Sequence, residues 1–220
     1  MEWSVLEDSF LAWIAAWRVP LQQFVGWVEH SDTHRYHAHM TNYRRSRIAG
    51  ASYFFTVNLA DRSQALLTEN IALLRSAFEY TCERHPFIVD AIVVLPEHMH
   101  AIWTLPDGDS DFALRWRLIK TVFSRGLPHG ERRSNSRQRK GERGIWQRRY
   151  WEHLIRDEAD FSRHVDYIHI NPVKHGLVPH VAEWPHSSFH RYVQAGILPT
   201  DWAGDRGVEF DFGEREGVFD

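Results

Sequence analysis

Residues 87–103 constrain the fold more than any other part of this chain. The run Phe87-Ile88-Val89-Asp90-Ala91-Ile92-Val93-Val94-Leu95-Pro96-Glu97-His98-Met99-His100-Ala101-Ile102-Trp103 is rich in β-branched residues and is interrupted at Pro96-Glu97, which predicts two strands joined by a turn. Side chains alternate along a strand, so His98 and His100 share a face and Met99 points the other way. The predicted hairpin therefore carries an imidazole pair on one side.

The elements around it follow from periodicity. Ser52 to Leu59 is aromatic and β-branched after Gly50 and reads as a first strand. Leu66, Leu67, Ile71, Leu74, Phe78 and Cys82 recur at helical spacing and predict one helix over residues 66–84, ending before Pro86. Leu114, Leu118, Ile119 and Val122 predict a helix from about Asp111, capped by Asp109 or Ser110. Residues 127–144 are rich in Gly, Ser and Arg and read as a mobile basic loop, and residues 145–155 read as a fourth strand. Phe161, Val165 and Ile168 predict a last helix over residues 157–171, stopped by Pro172. This order predicts an α+β fold, a ferredoxin-like sandwich whose mostly antiparallel sheet has its helices packed on one face.

With 220 residues and ten Trp, the chain has room for one globular domain, assigned to residues 40–200. No repeat or long linker divides that span. The single cysteine, Cys82, rules out an internal disulfide and a cysteine-based zinc cage, and makes a reducing, cytoplasmic setting the default. Residues 1–39 form an extension with an apolar stretch, Phe10 to Trp17. That stretch is shorter than the roughly 20 residues a membrane span needs, and Glu2, Glu7 and Asp8 stand where an export signal would be basic. No membrane partner is expected. Met40 is an alternative start, which the intact mass of the native protein would reveal.

The net charge of −3 hides a strong asymmetry. Between residues 115 and 149 twelve Arg and Lys face only Glu131 and Glu142, whereas residues 201–220 form an acidic tail. The basic stretch, interleaved with Trp116, Trp146, Tyr150 and Trp151, suits single-stranded or hairpin nucleic acid, with cations for phosphates and aromatic faces for bases. Its candidate DNA contacts are Arg115, Arg117, Lys120, Arg125, Arg148 and Arg149. The plainer reading is a solvated loop.

An H-x-H pair is a weak signal, because a chain with fifteen histidines contains about one by chance, and His37-Ala38-His39 is another. His98 and His100 gain weight from their shared face, since two neutral imidazoles so placed can hold one divalent ion. Tyr167 and Asn171 are neighbours one turn apart on the polar side of the last helix. Asn171 offers an oxygen ligand, or else only a helix C-cap. Tyr167 is a candidate nucleophile, or else a packing residue, and Tyr150 is its competitor. Glu97 and Glu152 are further ligand candidates.

Ordered motifs extend these features over residues 40–202: Asn42-Tyr43-Arg44-Arg45, Tyr53-Phe54-Phe55-Thr56-Val57-Asn58-Leu59, Val94-Leu95-Pro96-Glu97-His98-Met99-His100, Trp146-Gln147-Arg148-Arg149-Tyr150-Trp151-Glu152-His153, the segment from Tyr167 to Val178, and Trp184-Pro185-His186-Ser187-Ser188-Phe189. Together they resemble the REP-associated tyrosine transposases, a branch of the single-tyrosine HUH transposase superfamily. The resemblance implies a ferredoxin-like fold, binding of hairpins from repetitive extragenic palindromes, and cleavage and joining of single-stranded DNA through a covalent 5′-phosphotyrosine. It implies Tyr167 as nucleophile and His98, His100 and Asn171 as ligands of Mg²⁺ or Mn²⁺, Asn171 standing where related transposases carry Gln. The expected partner is hairpin DNA, bound by a monomer or homodimer. The rivals are a hairpin-binding protein without catalysis and an HUH replication initiator or relaxase.

Overall fold

The computed structural model describes residues 47–131 and 133–202. The readings at the first 46 residues, at Arg132 and in the acidic tail from residue 203 lie outside the described residues. Four strands form one sheet: β1 Ser52–Asn58, β2 Ile88–Val94, β3 His98–Thr104 and β4 Trp151–Leu154, in the order β2-β3-β1-β4, every neighbour antiparallel. This is the ferredoxin-like order, with β3 inserted between β1 and β2.

The helices are α1 Leu66–Glu69, α2 Ile71–Arg84, α3 Phe112–Gly126, α4 Asn135–Arg139, α5 Glu158–Lys174 and α6 Phe189–Gln194. The single helix expected over residues 66–84 is two, because Asn70 donates its side-chain amide to the Leu66 carbonyl and breaks the turn with ψ 37°. Asp111, rather than Asp109 or Ser110, caps α3 by accepting from the Leu114 N–H.

The expectation that the helices pack on one face is corrected. Phe55, Val57, Met99, Ala101 and Trp103 meet Leu74 and Phe78 of α2 and Phe112, Trp116, Ile119 and Phe123 of α3 on one side of the sheet. On the other side Phe54, Ala91, Val93 and Ile102 meet Val165, Tyr167 and Ile168 of α5. The strands are apolar on both faces, so both need a cover. The face that carries the two histidines is the one under α5.

Pro172 does not stop α5, which runs to Lys174. Proline removes a single backbone hydrogen bond, and near the helix end that loss is small. Gly176, at φ 66°, ends the helix instead, letting Leu177 N–H reach the Pro172 carbonyl at 2.9 Å. The fourth strand is shorter than residues 145–155, although Trp146 adds an isolated bridge to Leu59. Residues 127–144 contain α4 and are tied down by Arg143, which donates to the carbonyls of Ser124, Leu127 and Pro128 and pairs with Glu131 at 2.6 Å. Among the described residues no helix is long and apolar enough to cross a membrane.

Candidate active site

Strand register puts the first components in place. Thr56 on β1 stands opposite His100 on β3, and its hydroxyl lies 2.9 Å from His100 Nδ1. His98 Nδ1 lies 2.9 Å from Glu97 Oε1, a carboxylate that also receives Arg62 at 3.4 Å. Burial pushes the Glu97 carboxyl up, but the hydrogen bond and charge of His98, with a backbone N–H and Arg62, hold it down at about 2. In each histidine the outer partner engages Nδ1, the arrangement that orients imidazole ligands in metal sites. Glu97, weighed from sequence as a ligand, is thus a support for His98.

The two imidazoles lie edge to face, with ring centroids 4.9 Å apart and planes at 85°. Planes so crossed allow two in-plane lone pairs to converge on one ion. α5 brings Tyr167 to this pair, its ring 5.1 Å from that of His100. Phe54 packs against both rings, at 5.6 Å from His100 and 6.0 Å from Tyr167. Asn171, one turn beyond Tyr167, is fully buried, and neither its Oδ1 nor its Nδ2 has a hydrogen-bond partner among the described residues. A buried carboxamide left so carries a desolvation cost of about 1–3 kcal/mol. A divalent ion bound by Oδ1 would remove the oxygen's share of that cost, so these residues fit the cation that the motifs imply.

The described residues contain another group able to share an ion, His153, Asp160 and His164, whose ligand atoms lie within 4.8 Å of one another. Here the rings of His153 and His164 are stacked, with planes only 19° apart, so their lone pairs run nearly parallel instead of converging. Each member also has a structural task. Asp160 completes the N-terminal cap of α5 by accepting from Arg156 N–H and from His153 Nε2, and His164 Nδ1 donates to the Asp160 carbonyl at 2.7 Å. Burial pushes His164 down to about 4. In this arrangement the group links β4 to α5, and the crossed pair at His98 and His100 is the better candidate for a metal centre.

Tyr150 lies across the sheet from the histidines, 6.0 Å from both Phe55 and Trp116 and beneath the Lys120 ammonium. Glu152, opposite Phe55, shares that side and is removed as a ligand. The basic stretch divides in two. Arg115 is 1% exposed and donates to the carbonyls of His85, Pro86 and Asp111 and to Asp109, so the expectation that it contacts DNA is corrected. Lys120 donates to the Gln147 carbonyl. Arg117, Arg125, Arg148 and Arg149 reach solvent, Arg148 in an ion pair with Glu142. Thr56 and Lys174 were not singled out from the sequence. Only the β1–β3 register reveals the first, and only the position of α5 the second.

No family model matches the chain. A REP-associated tyrosine transposase of Escherichia coli is 50% identical over 176 residues, which span 80% of this chain and 98% of that protein. A Haemophilus influenzae protein given the same name provisionally is 52% identical over 167 residues, 76% of this chain and 95% of the relative. A solved structure of the REP-associated tyrosine transposase bound to a REP hairpin matches with a TM-score of 0.69 at 49% identity, covering 81% of this chain and 100% of that one. Half-identity over nearly the full length of two relatives, on a shared fold, establishes that this chain belongs to the REP-associated tyrosine transposase family.

Proposed function

We propose that this transposase binds single-stranded hairpin DNA of the REP type and cleaves and rejoins it through a 5′-phosphotyrosine on Tyr167, within residues 40–200. The observation that carries the reading is the meeting of Tyr167 with the crossed histidine pair, the two rings 5.1 Å apart at His100. Hairpin DNA as substrate is supported by the relative solved with a REP hairpin, and by the solvent-facing Arg117, Arg125, Arg148 and Arg149 as phosphate contacts.

His98 and His100 through Nε2, with Asn171 through Oδ1, would hold Mg²⁺ or Mn²⁺. When bound, such an ion supplies positive charge to the oxygens of the scissile phosphate and fixes their orientation. The phenol oxygen of Tyr167 bonds to phosphorus as the bond to the 3′ oxygen breaks, leaving a free 3′-hydroxyl. Phe54 and the packing around the phenol hold it facing His100. Because the ester energy is stored on Tyr167, the same 3′-hydroxyl or another can reverse the step without ATP.

The test is a labelled single-stranded hairpin incubated with protein and Mn²⁺, then denatured. A protein–DNA adduct that survives denaturation and is absent in Tyr167→Phe is expected. Hairpin binding with no adduct under any divalent ion would instead make the protein a non-catalytic hairpin binder.

A further inference from the structure

The mechanism above gives Lys174 no role, yet its Nζ lies 4.9 Å from the centroid of the Tyr167 ring. His100 meets the same ring at 5.1 Å, so the phenol stands between a candidate metal ligand and an ammonium. Tyr167 is fully buried, whereas Lys174, two turns along α5, is exposed. His175 beside it is exposed as well, with its ring 5.1 Å from that of His98. The last turn of α5 therefore borders the site where solvent reaches it. The turn is held in place, because Gly176 and Leu177 donate to the Val173 and Pro172 carbonyls at 3.0 and 2.9 Å.

The attractions on the Lys174 ammonium include the face of the Tyr167 ring and the negative end of the α5 dipole. Both are weak for an exposed side chain. A charge-assisted hydrogen bond to a phosphate oxygen is stronger than either, so a phosphodiester arriving at the phenol draws the ammonium to itself.

We propose that Lys174 is a catalytic residue of this transposase: its ammonium moves from the Tyr167 ring to a non-bridging oxygen of the reacting phosphodiester and holds that phosphate beside the phenol oxygen. The inference rests on Tyr167 being the nucleophile. As the new O–P bond forms, the bond from phosphorus to the 3′ oxygen breaks, the phenol proton passes to water and the 3′ oxygen takes one from water, with no net proton consumed. Lys174 keeps its own protons throughout and offsets the charge growing on the oxygen it holds.

The experiment compares wild type, Lys174→Ala and Lys174→Arg with a labelled single-stranded hairpin and Mn²⁺, measuring hairpin affinity, the single-turnover rate of adduct formation and the thermal midpoint. Lys174→Ala is expected to form adduct about a hundredfold more slowly, with affinity changed by no more than about threefold and the midpoint unmoved. Lys174→Arg is expected to recover most of the rate, since it keeps the charge. An adduct rate in Lys174→Ala equal to wild type, or one lowered only in step with affinity or folding, overturns this proposal alone. Absence of adduct in wild type overturns it together with the reading of Tyr167.

Discussion

The Thr56 hydroxyl lies 2.9 Å from Nδ1 of His100 across the β1–β3 pair, so Nδ1 is engaged in any role that His100 has as a metal ligand. Outer partners of this kind fix the tautomer and orientation of an imidazole ligand, and their loss costs about 10- to 100-fold in metal affinity. Thr56→Val keeps the shape and removes the hydroxyl. Titration calorimetry with Mn²⁺ is expected to show a loss in that range with the thermal midpoint little changed, and equal affinity in the two proteins would remove Thr56 from the site.

Tyr150 and Tyr167 lie on opposite faces of the sheet, Tyr150 against Phe55 and Trp116 and Tyr167 against Phe54 and His100. Tyr150→Phe is therefore expected to form the covalent adduct at close to the wild-type rate. Mapping of the DNA-linked peptide by mass spectrometry checks this directly, and a peptide carrying the link at residue 150 would refute the assignment.

Arg115 and the pair Arg148 and Arg149 are expected to separate stability from binding. Arg115→Ala leaves the His85 and Pro86 carbonyls without a buried donor, and should destabilise the fold by about 2–4 kcal/mol. Denaturant unfolding reads that loss, while hairpin affinity of the folded fraction stays as in wild type. Arg148→Ala and Arg149→Ala should leave unfolding nearly unmoved and lower the slope of log affinity against log salt by roughly 0.7 each. Unchanged salt slopes would place the DNA elsewhere.

His164 gives the fold a defined sensitivity to acid. Burial holds its folded pKa near 4, below the roughly 6.5 of an unfolded histidine, so the unfolded state binds more protons between those values. The stability this histidine contributes is complete above about pH 6.5 and is lost as pH falls toward 4, with a slope of at most about 1.4 kcal/mol per pH unit. His164→Phe, which keeps the packing against Phe54, is expected to give a shallower fall of the thermal midpoint between pH 7 and 5. An unchanged slope would show that other groups govern this range.

What the sequence determined by itself was local. Alternation along residues 98–100 aimed both imidazoles one way, and helical spacing put Tyr167 and Asn171 a turn apart, because these relations depend only on the repeat of a strand or a helix. The family was legible too, since its motifs are short runs of neighbouring residues. The tertiary structure decided what depends on distant partners. The β1–β3 register joined Thr56 to His100, and the second apolar face of the sheet drew α5 onto the histidines instead of onto the side of α2 and α3. Arg115, basic in sequence, became a buried clamp because four acceptors brought near it by the fold, two of them 29 and 30 residues away, outcompeted solvent. Charge and periodicity are written residue by residue, whereas burial and partnership exist only once separate segments have packed together.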